Sequence, residues 1–205
     1  MSYDQILLPA AHCDDADAAD AHLDAQAGRP ASPEAAALAA RIEERCADVL
    51  SVSPLEAEGD TLVVPVTFRG VEQARRAVHE EARAAGFGVY DPQVGVVFDP
   101  RTALPGHLAT RDGVLPTVTP AAVAHLVDTL AVDGFLVVTT ADEQVYAQTY
   151  RRSTGAFDVE RREGGPDRHF GTAVGSAAEV RTLLDAWLRG DHDTVARVTW
   201  DRVAL

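Results

Sequence analysis

The sequence predicts an α+β protein in two parts. A β-α-β-α-β-β subdomain occupies residues 1–100, a connector 101–118, and a helix, antiparallel meander, helix subdomain 119–205. Three observations carry this. In the first half, stretches with apolar residues every three or four positions alternate with β-branched runs. In the second half, β-type runs follow one another across turn signals with no helix between them. Between the halves, Asp99-Pro100, Pro105-Gly106, Asp112-Gly113, Pro116 and Pro120 concentrate loop residues without periodicity, which reads as a connector between two subdomains.

Tyr3 to Leu8 is a short apolar run stopped by Pro9, a strand. Residues 12–31 are acidic and alanine-rich and are expected to be loose. Ser32-Pro33-Glu34 then starts a helix, with Ser as N-cap, Pro at the first position and an acid in the first turn. Leu38, Ile42, Cys46, Val49 and Leu50 give it one apolar face. Thr61 to Phe68 is a strand in which Pro65 suggests an edge or a bulge. Val71 to Ala85 is a second helix, closed by Gly86. Gly88–Tyr90 and Val94–Phe98 form a hairpin across Asp91-Pro92-Gln93. With the helices as crossovers, the expected sheet is largely parallel and ends in that hairpin.

The second subdomain begins with the cap Thr119-Pro120 and a helix whose face is Val123, Leu126, Val127 and Leu130. Phe135–Thr139 is a buried-type strand. Val145–Arg151 and Ala156–Arg162 form a hairpin over Ser153-Thr154-Gly155, where Gly supplies positive φ. Phe170–Val174 follows the Gly164-Gly165-Pro166 break. Ser176 caps a helix with face Val180, Leu183, Leu184 and Trp187, stopped at Gly190. Val195 to Leu205 reads as a short helix and a last strand around Trp200.

The 205 residues carry 32 Asp+Glu against 18 Lys+Arg, a formal charge of −14. All the basic residues are arginine, and lysine is absent. Residues 1–100 hold 18 acids and 7 arginines, net −11; residues 101–205 hold 14 and 11, net −3. So acidic a chain argues against nucleic-acid binding, which needs a basic face to neutralise phosphates. Hydrophobics at 46% and charges at 24% exclude wholesale disorder. No run approaches the roughly 18 apolar residues of a membrane span, and Met1–Pro9 carries no secretory signal pattern, so a cytoplasmic protein is expected. In that compartment Cys13 and Cys46 read as free thiols, with a disulfide between them as the alternative. Cys13 is expected in an exposed segment where neighbouring carboxylates disfavour its thiolate. Cys46 is expected to pack on the first helix.

Chemistry-bearing motifs are few. His12-Cys13-Asp14-Asp15-Ala16-Asp17, continuing to Asp20, His22 and Asp24, contains metal-ligand types. It matches no closed zinc pattern, and it lacks the Gly and Glu of a calcium loop. It reads as a solvated acidic linker, and any role it has is expected to be electrostatic rather than coordinating. His79-Glu80-Glu81 sits on the second helix but lacks the later histidine of a zincin, and reads as a surface turn. There is no nucleophile elbow, phosphate loop or dinucleotide fingerprint, and without lysine there is no Schiff-base chemistry. No catalytic residue, metal or cofactor is assigned. Arg151, Arg152, Arg161 and Arg162, with Glu160 and Glu163 beside them, read as cross-strand charge pairing, with anion binding as the alternative. Tyr146, Gln148 and Tyr150 share a strand face, with Phe157 and Val159 expected opposite them. His169 lies near several arginines and acids.

Two stretches resemble known groups. Met1-Ser2-Tyr3-Asp4 and Gly88-Val89-Tyr90-Asp91-Pro92-Gln93 resemble small uncharacterised bacterial α/β proteins. Tyr146-Ala147-Gln148, Phe157-Asp158-Val159-Glu160-Arg161-Arg162, His169-Phe170 and the C-terminal helix with Trp200 resemble actinobacterial immunity-protein-like domains of polymorphic toxin systems. That resemblance implies a cytoplasmic, non-enzymatic protein that binds and blocks a cognate toxin. An acidic inhibitor suits a basic target such as a nuclease, because complementary fields speed encounter. On this reading Asp14, Asp15, Asp17 and Asp20 steer the partner. The alternative is a small-molecule-binding or enzymatic domain using Tyr146, Gln148, Arg161 and His169. Exposed strand edges leave a homodimer or an added partner strand open.

Overall fold

A computed structural model describes residues 2–203; Met1, Ala204 and Leu205, which bound the first and last expected segments, lie outside the described residues. The chain divides into two compact units, one up to Ala103 and one from Leu104. Each combines helices with an antiparallel sheet, so the fold class is α+β.

Unit 1 runs β1 (Tyr3–Pro9), α1 (Ala16–Gln26), α2 (Pro33–Cys46), β2 (Ala57–Glu58), β3 (Thr61–Val66), α3 (Val71–Ala84), β4 (Phe87–Asp91) and β5 (Val96–Phe98). The strand order is β2-β3-β1-β4-β5, and every neighbouring pair is antiparallel. The expected parallel sheet is therefore wrong. Helix α3 does join two parallel strands, β3 and β4, but β1 inserts between them, antiparallel to both, in a split β-α-β arrangement. Helices α1 and α2 lead instead into the β2–β3 hairpin, which turns at Gly59 with φ +55°. Pro65 pairs with Asp4 beyond the end of short β2, where its missing N–H leaves no β2 partner unmet.

Local signals explain the helices. Ser32 Oγ accepts the Ala35 N–H at 3.1 Å and Pro33 opens α2, whose Leu38, Ile42 and Cys46 are fully buried. After α3, Gly86 takes φ +74°, the left-handed position at which helices stop. Side chains of β1 alternate between two covered faces. Tyr3, Gln5 and Leu7 stand with Val66, Val64 and Leu62 on the side of α2 and α3. Ile6 and Leu8 meet α1. Full burial of a Leu or Ile such as Leu7 or Ile42 contributes about 1.5–3 kcal/mol.

Unit 2 runs β6 (Gly106–Thr110), β7 (Gly113–Leu115), α4 (Pro120–Asp128), β8 (Phe135–Thr140), β9 (Val145–Arg151), β10 (Phe157–Glu163), β11 (His169–Val174), α5 (Ala177–Arg189), α6 (His192–Val195) and β12 (Asp201–Arg202). Its seven-stranded antiparallel sheet has the order β12-β11-β10-β9-β8-β6-β7. The expected connector over 101–118 is corrected: it supplies the β6–β7 hairpin, which buries Leu108 and Leu115. Arg111-Asp112 is the hairpin's two-residue turn, and Gly113, which opens β7 opposite Thr110, takes φ +115°. The β9–β10 hairpin closes as expected, with Gly155 at φ +89° and Arg152 N–H donating to Ala156 O at 2.8 Å. Thr119 and Ser176 cap α4 and α5, and Gly190 ends α5 at φ +69°.

One face of this sheet carries the buried Leu108, Leu115, Leu136, Val138, Ala147, Phe157 and Val159, packed under α4 and α5. The other face presents Val114, Phe135 and Tyr150 to solvent. Phe157 and Val159 thus lie on the buried side with Ala147 and Thr149, not on the side of Tyr146 and Gln148 as expected. An even or odd count across the hairpin decides this, because a shift of one residue moves a side chain to the opposite face.

Candidate functional site

The acidic segment of unit 1 is ordered, contrary to expectation. Asp15 Oδ1 accepts the Ala18 N–H at 2.8 Å and caps α1, and Asp17 sits in the first turn, where the helix dipole favours an anion. Ala16, Ala19 and Leu23 turn inward onto Ile6, Leu8, Val63, Tyr90 and Val97. Spacings of three and four bring Asp17, Asp20 and Asp24 onto one exposed stripe, with Asp14 exposed just before the helix. Asp14 reaches Arg101 only at 3.6 Å, with its side chain 76% exposed. Asp20 accepts the Tyr90 hydroxyl at 3.3 Å.

The other groups of this segment have structural partners. Cys13 is buried, which corrects its expected exposure; it packs against Gly88, where a side chain would collide with its Sγ. Burial first, and Asp99 second, push its thiol up to about 11. His12 and His22 stack with ring centres 3.6 Å apart, and His22 Nε2 bonds Asp60 Oδ1 at 2.8 Å. Among the described residues no group of three His, Cys, Asp or Glu is placed to hold a metal. Cys13 and Cys46 are both free thiols.

Several arginines of unit 1 are neutralised internally. Arg41 Nε and Arg45 Nη1 each reach Glu81 at 2.8 Å, and Arg45 Nη2 reaches Glu80 at 2.6 Å. These two arginines hold the Glu81 carboxyl below the usual range. Arg75 pairs with Asp91 at 3.5 Å in the core. His79-Glu80-Glu81 lies on α3 as expected, but it is not a surface turn throughout, because His79 is buried against Phe98. The stripe of aspartates on α1 faces solvent without comparable neutralisation.

On the open face of unit 2, cross-strand register brings three of the four expected ligand-face residues together. Glu160 lies opposite Gln148, and Arg162 lies opposite both Tyr146 and His169. Gln148 Nε2 donates to Glu160 Oε2 at 2.7 Å, and His169 Nε2 meets the same oxygen at 3.0 Å. The Tyr146 ring approaches His169 edge-on at 5.9 Å. Arg161 does not join them. It pairs with Ala147 and Phe170 on the opposite face, stacks over Phe170 and Trp200, and bonds Glu163. Its neighbour Glu160 is the hub that residue-type reasoning missed; counting register outward from the Ser153-Thr154-Gly155 turn would have found it.

This group is satisfied in part: Glu160 engages Gln148 and the Nε2 of His169, while the buried Nδ1 of His169 has no partner among the described residues. His169 is 4% exposed and its Nε2 is engaged by Glu160, so it has the character of a packing residue. His169→Ala is expected to lower stability by about 1–3 kcal/mol, because the half-buried Glu160 carboxylate loses a partner. Urea unfolding checks this, and an unchanged midpoint would return His169 to the list of ligand-binding groups. Unit 2 also holds an apolar cleft of about 390 Å³ beside Trp187 and Val145. Its polar wall residue, Thr140, has its hydroxyl engaged by Asp142 and Val145.

No protein-family model, curated protein or solved structure matches the chain. Among the described residues no helix is long and apolar enough to cross a membrane.

Proposed function

We propose that this is a non-enzymatic protein that binds and neutralises a cognate basic protein, a toxin of the nuclease kind, through the acidic unit 1. The observation that carries this reading is the solvent-facing line of Asp14, Asp17, Asp20 and Asp24 along α1. Asp15 adds charge beside it while capping the helix. Carboxylates in this setting contribute little to stability. They raise the rate at which a basic surface arrives, and salt screens that effect. The immunity-type role comes from the resemblance of the second half; the sign of the partner's charge comes from unit 1.

The test is association kinetics with the basic protein recovered by affinity capture on this chain. Changing Asp14, Asp15, Asp17 and Asp20 together to Asn preserves the cap at position 15, since Asn caps as well as Asp. The variant is expected to associate about tenfold or more slowly at low salt, with a flatter salt dependence and a nearly unchanged dissociation rate. Equal association rates for the two proteins would remove the steering role.

A further inference from the structure

Unit 1 has an open cleft of about 600 Å³ between α2 and the outer side of β2. Strand β2 is the last strand of its sheet, so among the described residues its outer side has no strand partner. Glu58 and Thr61 flank the two-residue turn at Gly59-Asp60. Residues in that position exchange their backbone hydrogen bonds, which turns the N–H and C=O of Ala57 away from β3 and toward the cleft. The chain already uses one end of this edge. Gly59 N–H donates to Arg29 O at 3.1 Å, and Ser32 N–H donates to Gly59 O at 2.6 Å. Beyond that pair, alongside Ala57, the edge borders the cleft.

The walls differ in chemistry. Ala57 shares its side with Leu62, the side covered by α2, whose exposed Ala36 and Ala40 leave room for an apolar side chain. Glu56 and Glu58, two residues apart, stand on the other side of the strand. Glu43 closes the α2 end, held by the Leu55 N–H at 2.5 Å. Arg29 is the cation among the lining residues, against three glutamates.

We propose that this cleft takes an extended basic segment of the partner protein, added to β2 as a further strand. Alternate side chains of that segment lie over the alanines of α2 and beside Glu56 and Glu58. Main-chain hydrogen bonds to Ala57 give the affinity, and the alternation of small apolar and basic residues gives the specificity. The basic character of the partner rests on the function proposed above; the strand-adding geometry does not.

The probe is a synthetic decapeptide of alternating valine and arginine, titrated into the isotope-labelled full chain and followed by amide chemical shifts. Its counterpart of alternating valine and glutamate is the control. The arginine peptide is expected to shift the amides of Glu56–Glu58, Ala36 and Ala40, and the glutamate peptide is not. Two exposed substitutions, Ala40→Trp to fill the cleft and Glu56→Arg to reverse its charge, should each weaken binding at least about tenfold. The fourfold aspartate variant should retain the same shifted amides. Shifts confined to α1, or unchanged affinity in both cleft variants, would overturn the proposal. A peptide that docks on β2 when no basic protein is captured by the chain would leave this site standing and remove the toxin reading. A basic protein that binds the Ala40→Trp and Glu56→Arg variants with full affinity would do the reverse.

Discussion

Asp91→Ala is expected to destabilise unit 1 by about 3–5 kcal/mol, the largest effect of any single substitution considered. Asp91 and Arg75 are 1% and 2% exposed, and the Tyr3 hydroxyl joins them. It donates to Asp91 Oδ2 at 2.5 Å and accepts from Arg75. The three residues come from β1, α3 and β4, so the network ties the helix to two strands of the sheet. Burial pushes the Asp91 carboxyl up, while the Tyr3 hydroxyl and Arg75 pull it down. Deleting the carboxylate leaves a buried guanidinium without its countercharge. Replacing both charges, with Arg75→Met and Asp91→Leu, removes that penalty. The double variant is therefore expected to be more stable than Asp91→Ala, as measured by urea unfolding followed by circular dichroism. A double variant less stable than the single would show that the pair itself is the main stabilising contact.

The second large effect is a dependence on pH set by His79. The side chain is buried against Phe98, and burial first, then the charges of Arg75 and Arg83, lower its pKa from 6.5 to about 3. Above about pH 6.5 the ring is neutral in both folded and unfolded chains, and stability is complete. As pH falls below that, the unfolded chain takes up the proton and the folded protein does not, until about pH 3. Stability is thus lost on acidification across this window, by about 3 kcal/mol between neutral pH and about pH 4. His79→Leu removes the proton-binding site and should lose that much less over the same range. Parallel pH dependences for the two proteins would contradict the assignment.

The helices with strong end signals were legible in the sequence. Ser32-Pro33, Thr119-Pro120 and Ser176 begin α2, α4 and α5 where their caps imply, and Gly86 and Gly190 follow α3 and α5. Helix α1 was not, because its inward face is mostly alanine and its other positions mix aspartate with further alanine, which leaves little apolar periodicity. The β6–β7 hairpin was hidden for a different reason: the Pro and Gly that shape a short hairpin are the same residues that mark a linker. Sheet direction in unit 1 depended on where β1 inserts, a tertiary choice that no local pattern records.

The candidate sites divide along similar lines. The exposed aspartates were legible as charge, but the order imposed by the Asp15 cap was not. Tyr146 and Gln148 were grouped by strand period and do share a face, whereas His169 and Arg161 were grouped by residue type; His169 joins that face and Arg161 falls on the opposite one. Cys13 was misjudged because its burial depends on Gly88, distant in sequence, having no side chain. The cleft beside β2 could not be read at all, since a two-residue strand leaves almost no sequence pattern.

The most direct test of the central claim is affinity capture of the full chain from cells of its source, at low and at moderate salt, with identification and quantification of what elutes. One basic protein in stoichiometric amount, lost as the salt is raised, is the predicted result. No stoichiometric partner at either salt, or an acidic partner that binds equally at both, would contradict it.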